Sequence, residues 1–166
     1  MDELSPKPET KPVRSGIDPE DTKALATHLS QALADSYVLY LKTQATHWNV
    51  VGPMFYSVHN LTEEQYEDLQ EAVDDIAERI RAIGHLAPGC FSEFTERSIV
   101  DSVPMKAEAR DMIETLAKDN VAVAKRMREA VRKAEEMEDV YTADLLTARI
   151  GAHEEAAWML RALGTA

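Results

Sequence analysis

The sequence predicts an all-α fold: a four-helix bundle with one long crossover that carries a short extra helix. Three observations predict it. Four long segments repeat apolar residues at helical spacing, no segment alternates as a half-buried strand would, and the connections between them run short, long, short. At 166 residues the chain suits one domain with a sizeable core, needing neither disulfides nor structural metal.

The first 17 residues, with three of the seven prolines and little apolar content, read as a flexible tail, leaving 18–166 for the bundle. In "GIDPEDTKAL" Asp18 suits a helix N-cap, Pro19 the first helical position, and Glu20 and Asp21 the positive end of the helix dipole. Leu25, Leu29, Leu33, Tyr37 and Tyr40 continue that helix to about His47. Gly52-Pro53 makes a stop and restart. Val58, Leu61, Leu69, Val73, Ile76, Ile80 and Ile83 then mark a second helix ending at Gly84, roughly 45 Å long at 1.5 Å per residue.

Periodicity fails from His85 to Val103, where "FSEFTE" suits a short helix. A third long helix opens near Pro104, with Met112, Leu116, Val123, Met127 and Val131 on one face. The acidic "AEEMEDVYT" marks a break. The fourth carries Leu146, Ile150, His153, Ala157 and Leu160, and the pattern has no internal repeat of fixed period.

Thirty acidic residues against 18 basic ones give a net charge of −12, which opposes attraction to DNA or anionic lipid and favours cations. The single cysteine, Cys90, excludes an internal disulfide, fits a reducing compartment and reads as a buried thiol. No run of 18 apolar residues and no signal-like start appear, so a cytoplasmic location with no membrane partner is expected.

The chemistry concentrates in "THWNVVGPMFYSVHN", where His47 and His59 bracket a turn. His59 and Glu63 lie one turn apart on the second helix, as do Asp74 and Glu78. Mixed imidazole and carboxylate sets suit iron. His59 to Asp74 is about 22 Å of helix rise, beyond the span of one metal cluster. A second copy of the helix packed antiparallel across a two-fold axis, crossing near Asp68, would bring the two ends together, with His47 reaching back toward His59. The other reading is a solvated acidic face. An intrachain di-iron centre is disfavoured, because no Glu-x-x-His occurs.

His153 reads as a core or interface histidine, and His28 and His85 lack ligand partners. Met105, Met112, Met127 and Met159 read as core filler. Trp48 suits the core, an interface, or electron donation beside His47. "RMREAVRK" reads as a solvated face with i, i+4 pairing. Neither a nucleophile elbow nor a phosphate loop is present.

From His47-Trp48-Asn49, through His59 twelve residues on, to Asp74-x-x-x-Glu78-Arg79, the sequence resembles the Dps family, the ferritin-like miniferritins. "TADLLTARIGAHEEAAWMLRA" is similar to that family's closing segment, and together the two stretches extend the resemblance over most of residues 18–163. The resemblance implies a homododecameric shell that oxidises Fe²⁺ with H₂O₂ or O₂, stores ferric mineral and protects against oxidative damage. It implies His47, His59 and Glu63 as ligands from one chain and Asp74 and Glu78 from its two-fold mate. The family usually has aspartate at the position of Glu63, so the longer side chain bears on the second iron.

The resemblance also implies acidic iron-entry pores, for which Asp139 and Asp144 are the best matches and Glu138 is a further candidate. DNA compaction, the activity behind the family name, is the alternative function and would make the protein nucleoid-associated. The tail argues against it, since Lys7, Lys11 and Arg14 are balanced by Asp2, Glu3 and Glu9.

Overall fold

The computed structural model describes residues 16–101 and 107–165, and the predicted tail lies almost wholly outside them. Five helices follow in order: α1 (Pro19–Asn49), α2 (Phe55–Ala82), α3 (Phe91–Arg97), α4 (Ala109–Glu136) and α5 (Val140–Gly164). No strand occurs among the described residues. The all-α bundle with a crossover helix is therefore the observed fold.

Local chemistry sets the helix ends. Asp18 accepts from the Glu20 amide at 2.9 Å and caps α1. Gly52 takes φ +95° in the turn to α2, and Gly84 takes φ +96° just beyond the end of α2, conformations that cost glycine nothing. The expected start of the third long helix near Pro104 falls outside the described residues. That helix begins at Ala109, after an extended Glu108.

Ion pairs record how the helices run. Lys42 pairs with Asp119 at 2.6 Å and Asp35 with Arg126 at 3.2 Å, so α1 and α4 are antiparallel. Asp68 pairs with Arg149 at 2.6 Å and Arg79 with Asp139 at 2.7 Å, so α2 and α5 are antiparallel too. Short turns make α1/α2 and α4/α5 antiparallel hairpins, and α2 and α4 consequently run parallel. The chain must return along the bundle between them, which is why the crossover is long.

Leu25, Leu29, Leu33, Ile76, Ile80, Ile113, Leu116, Met127, Leu146 and Leu160 fill the core with almost no exposure. Met112 and Met127 are core, Met159 is half-buried, and Met105 is not among the described residues. Asp35 is fully buried, accepts from the Ile99 amide at 2.9 Å and faces Arg126, which also donates to the Arg97 carbonyl at 3.0 Å. This network pins the end of the crossover to α1 and α4. Burial pushes the Asp35 carboxyl up, and the Ile99 amide and Arg126 pull it partly back.

Two readings need correction. Cys90 is exposed, because it ends an extended stretch just before α3 and its thiol reaches out to Ser92 and Glu93. "RMREAVRK" pairs mainly across helices, Arg126 with Asp35 and Arg128 with Glu154, besides Lys133 with Glu136.

Asp139 caps α5 through the Thr142 amide at 3.0 Å and takes two bonds from Arg79 at 2.7 and 2.8 Å. Burial pushes its carboxyl up, but the bonds from Arg79 and Thr142 outweigh that and leave it below the ordinary range. Replacing Asp139 by alanine removes a cap and strands a largely buried guanidinium, so Asp139→Ala is expected to cost about 2–4 kcal/mol in urea unfolding. Asp139→Asn retains the capping oxygen and should cost less.

Candidate metal centre

The turn between α1 and α2 brings the last turn of one helix against the first of the next. There the His47 and His59 rings stack, with centroids 3.7 Å apart and planes 17° from parallel. Each ring is held by the other residue's backbone. His47 Nδ1 donates to the His59 carbonyl at 2.8 Å, and His59 Nδ1 donates to the His47 carbonyl at 3.0 Å. A carbonyl only accepts, so the geometry places a proton on each Nδ1, and in a neutral ring of that tautomer the lone pair is on Nε2. No protein group among the described residues bonds either Nε2. An imidazole anchored through Nδ1 with Nε2 bare is the arrangement that metal-binding histidines use.

The surroundings stiffen the pair. Phe55 stacks on His59 at 4.9 Å, and Tyr66 meets the His47 ring edge-on at 5.2 Å. Thr62 donates to the Val58 carbonyl at 2.7 Å and the His59 carbonyl at 3.1 Å. His47 is buried and His59 half-buried, the latter ring stacked between His47 and Phe55.

Glu63 is exposed one turn after His59, and Asp74 and Glu78 are exposed farther along α2. The structure thus brings the two histidines together but not the distant carboxylates. Among the described residues no three His, Cys, Asp or Glu side chains converge as a metal site within one chain. Asp68, the level at which two copies of α2 would cross, turns away toward Arg149. The exposed residues on the ligand face at that level are Glu67, Gln70 and Glu71.

Trp48 is 61% exposed, which removes the core reading, and it makes no ring contact among the described residues. Of the entry-pore candidates, Glu138 and Asp144 are exposed. Asp139 is buried with both oxygens bound to Arg79, and in this chain it serves as a structural latch.

Sequence reasoning missed Tyr66 and took Tyr40 only as part of the apolar stripe of α1. The signal was available: Tyr40 stands seven residues before His47 and Tyr66 seven after His59, two helical turns in each case. It also missed a crevice of about 320 Å³ lined by Gln65, Asn120, Arg149 and His153. The Gln65 amide, Arg149 Nε and His153 Nε2 have no protein partner there, and water can bridge such groups in a crevice of this size.

Residues 26–165 match the ferritin-like domain family. A low temperature-induced protein of a Nostoc species is 40% identical over 154 residues, covering 90% of this chain and 84% of the relative. DNA protection during starvation protein 2 of Bacillus anthracis is 34% identical over 134 residues, covering 81% and 92%. The crystal structure of a Dps protein from Vibrio cholerae O1, described as a ferritin-like diiron-carboxylate protein, superposes with TM-score 0.86 at 28% identity, covering 91% and 95%. Ferritin-like by class, the chain belongs to the Dps family.

His153 is the buried histidine of the core. Its Nδ1 lies 2.8 Å from Asn120 Oδ1, and the Asn120 amide donates to the Leu116 carbonyl at 2.8 Å, so the imidazole is the donor. Burial, then the nearby Arg149 charge, lowers its pKa to about 3, against a smaller opposing pull from Asp68. Below the ordinary value of 6.5 the unfolded chain takes up a proton that the folded chain refuses. This share of stability is present above pH 6.5 and is lost as pH falls toward 3. His153→Gln is expected to cost about 1–3 kcal/mol at neutral pH. Urea unfolding at fixed protein concentration should show a smaller gap from wild type in mild acid.

Proposed function

We propose that this protein is a ferroxidase and iron-storage miniferritin. The reciprocal carbonyl lock on His47 and His59 carries the reading, since it holds two stacked imidazoles through Nδ1 and leaves each Nε2 without a protein partner among the described residues. In this reading His47, His59 and Glu63 of one chain face Asp74 and Glu78 of the partner subunit, and a two-fold pair holds two equivalent sites. Fe²⁺ is substrate and cargo. Two Fe²⁺ ions held together each give one electron to a single peroxide: 2 Fe²⁺ + H₂O₂ + 2 H⁺ yields 2 Fe³⁺ and 2 H₂O. Paired transfer avoids releasing a hydroxyl radical.

Twelve copies form a shell that retains the ferric mineral in the cytoplasm, with Glu138 and Asp144 as the remaining candidates for guiding iron in. Among the described residues no helix is long and apolar enough to cross a membrane. The longer Glu63 shifts or weakens the second iron relative to the aspartate usual in the family. In stopped-flow oxidation of anaerobically added Fe²⁺ with peroxide, His47→Gly combined with Asp74→Asn is expected to abolish the fast phase. An unchanged rate would sink the intersubunit site.

The name of the Bacillus anthracis relative raises DNA protection as a second reading. A formal charge of −12 per chain opposes the phosphate neutralisation that dominates non-specific binding. A gel shift at ~150 mM salt and submicromolar protein is expected to show no compact complexes. Retarded, compacted DNA under those conditions would establish the second reading.

A further inference from the structure

Three polar side chains that the metal centre does not use line the crevice of about 320 Å³ between α2, α4 and α5, where Leu61, Leu69 and Met159 supply an apolar wall. His153 is 1% exposed, and burial, then the Arg149 charge, keeps its ring neutral at ordinary pH. Its Nδ1 donates to Asn120 Oδ1 at 2.8 Å, so the lone pair is on Nε2. That nitrogen has no partner among the described residues, and neither do Arg149 Nε or the two polar atoms of the Gln65 amide. Two donor atoms, Arg149 Nε and Gln65 Nε2, and two acceptor atoms, Gln65 Oε1 and His153 Nε2, are thus unmatched beside one opening. Buried polar atoms are nearly always hydrogen-bonded, so four together call for a partner from outside the chain.

Charge narrows the choice of partner. Asp68 already takes two bonds from the Arg149 terminal nitrogens at 2.6 and 2.9 Å, and Glu64 and Glu155 line the same crevice, so an anion is repelled. A metal cation meets the guanidinium, and no three metal-binding side chains converge among the described residues. A single water offers two donors and two acceptors, but its share of volume is about 30 Å³ and it leaves the apolar wall uncovered. We propose that this crevice binds a small neutral primary carboxamide with an apolar body, at a site separate from the histidine pair. A carboxamide carries two N–H donors and a carbonyl with two lone pairs. Edge to edge with the Gln65 amide it closes a ring of two hydrogen bonds. Its other N–H donates to His153 Nε2, and the second carbonyl lone pair accepts from Arg149 Nε. All four atoms are then satisfied, and the apolar body packs on Leu61, Leu69 and Met159. A carboxylate lacks the donors, and an alcohol has only one.

The site does not rest on the ferroxidase reading, and its test is saturation-transfer difference NMR on the full-length protein with benzamide as the probe. Wild type is expected to bind benzamide with a Kd of about 1 mM or tighter, and to leave benzoate, the same shape without the donors, at background. Gln65→Met keeps the side-chain length but removes both amide partners, so benzamide should bind at least about tenfold more weakly. Benzoate binding as well as benzamide, or undiminished benzamide binding in folded Gln65→Met, overturns the site. So does wild type that binds no benzamide, which leaves the crevice to water. The benzamide and benzoate comparison uses wild type alone, and it decides the matter if Gln65→Met does not fold.

Discussion

The constraint from which the rest follows is that an α-helix is a ruler. Residues 59 and 74 are held roughly 22 Å apart by α2 itself, and no side chain is long enough to close that gap. A chain that carries imidazoles at one end of this helix and carboxylates at the other needs a second helix before they can meet. The turn at Gly52 solves the near half by folding α1 back, so that His47 comes to lie on His59. The far half is left to another copy, in the reading proposed above.

The bundle holds this ruler straight through a few buried charges. Asp35 with Arg126 and Lys42 with Asp119 tie α1 to α4, while Arg79 with Asp139 ties the end of α2 to the start of α5. Such pairs contribute little net energy, because desolvation offsets most of the attraction. Their value lies in register, since slipping any helix by one turn would strand a charge in the core.

Helical periodicity made the four long helices legible, because the apolar stripe reports burial directly, whereas the crossover helix was read from the local run "FSEFTE" where that periodicity fails. The caps at Asp18 and the restart after Gly52 were legible for local reasons. Cys90 was misread because thiol burial is a compositional tendency, whereas the exposure of this residue depends on how the crossover lies. The bond between Arg79 and Asp139 was not legible, because an acidic run does not reveal which carboxylate finds an arginine sixty positions away. His47 and His59 were visible as a pair bracketing a turn, but their stacking and exchanged carbonyl bonds are products of the turn's geometry. Tyr66 escaped notice because an aromatic residue on a helix face is usually core, and only the folded neighbours show that it touches the histidines.

That no three metal-binding side chains converge in one chain, among the described residues, has a meaning for the cell as well as for geometry. On the ferroxidase reading, a solitary subunit carries half of the ligand set and no container for the product. On the proposed reading, quaternary assembly is the safety catch: redox chemistry is withheld until subunits have paired and a container exists to receive what it makes.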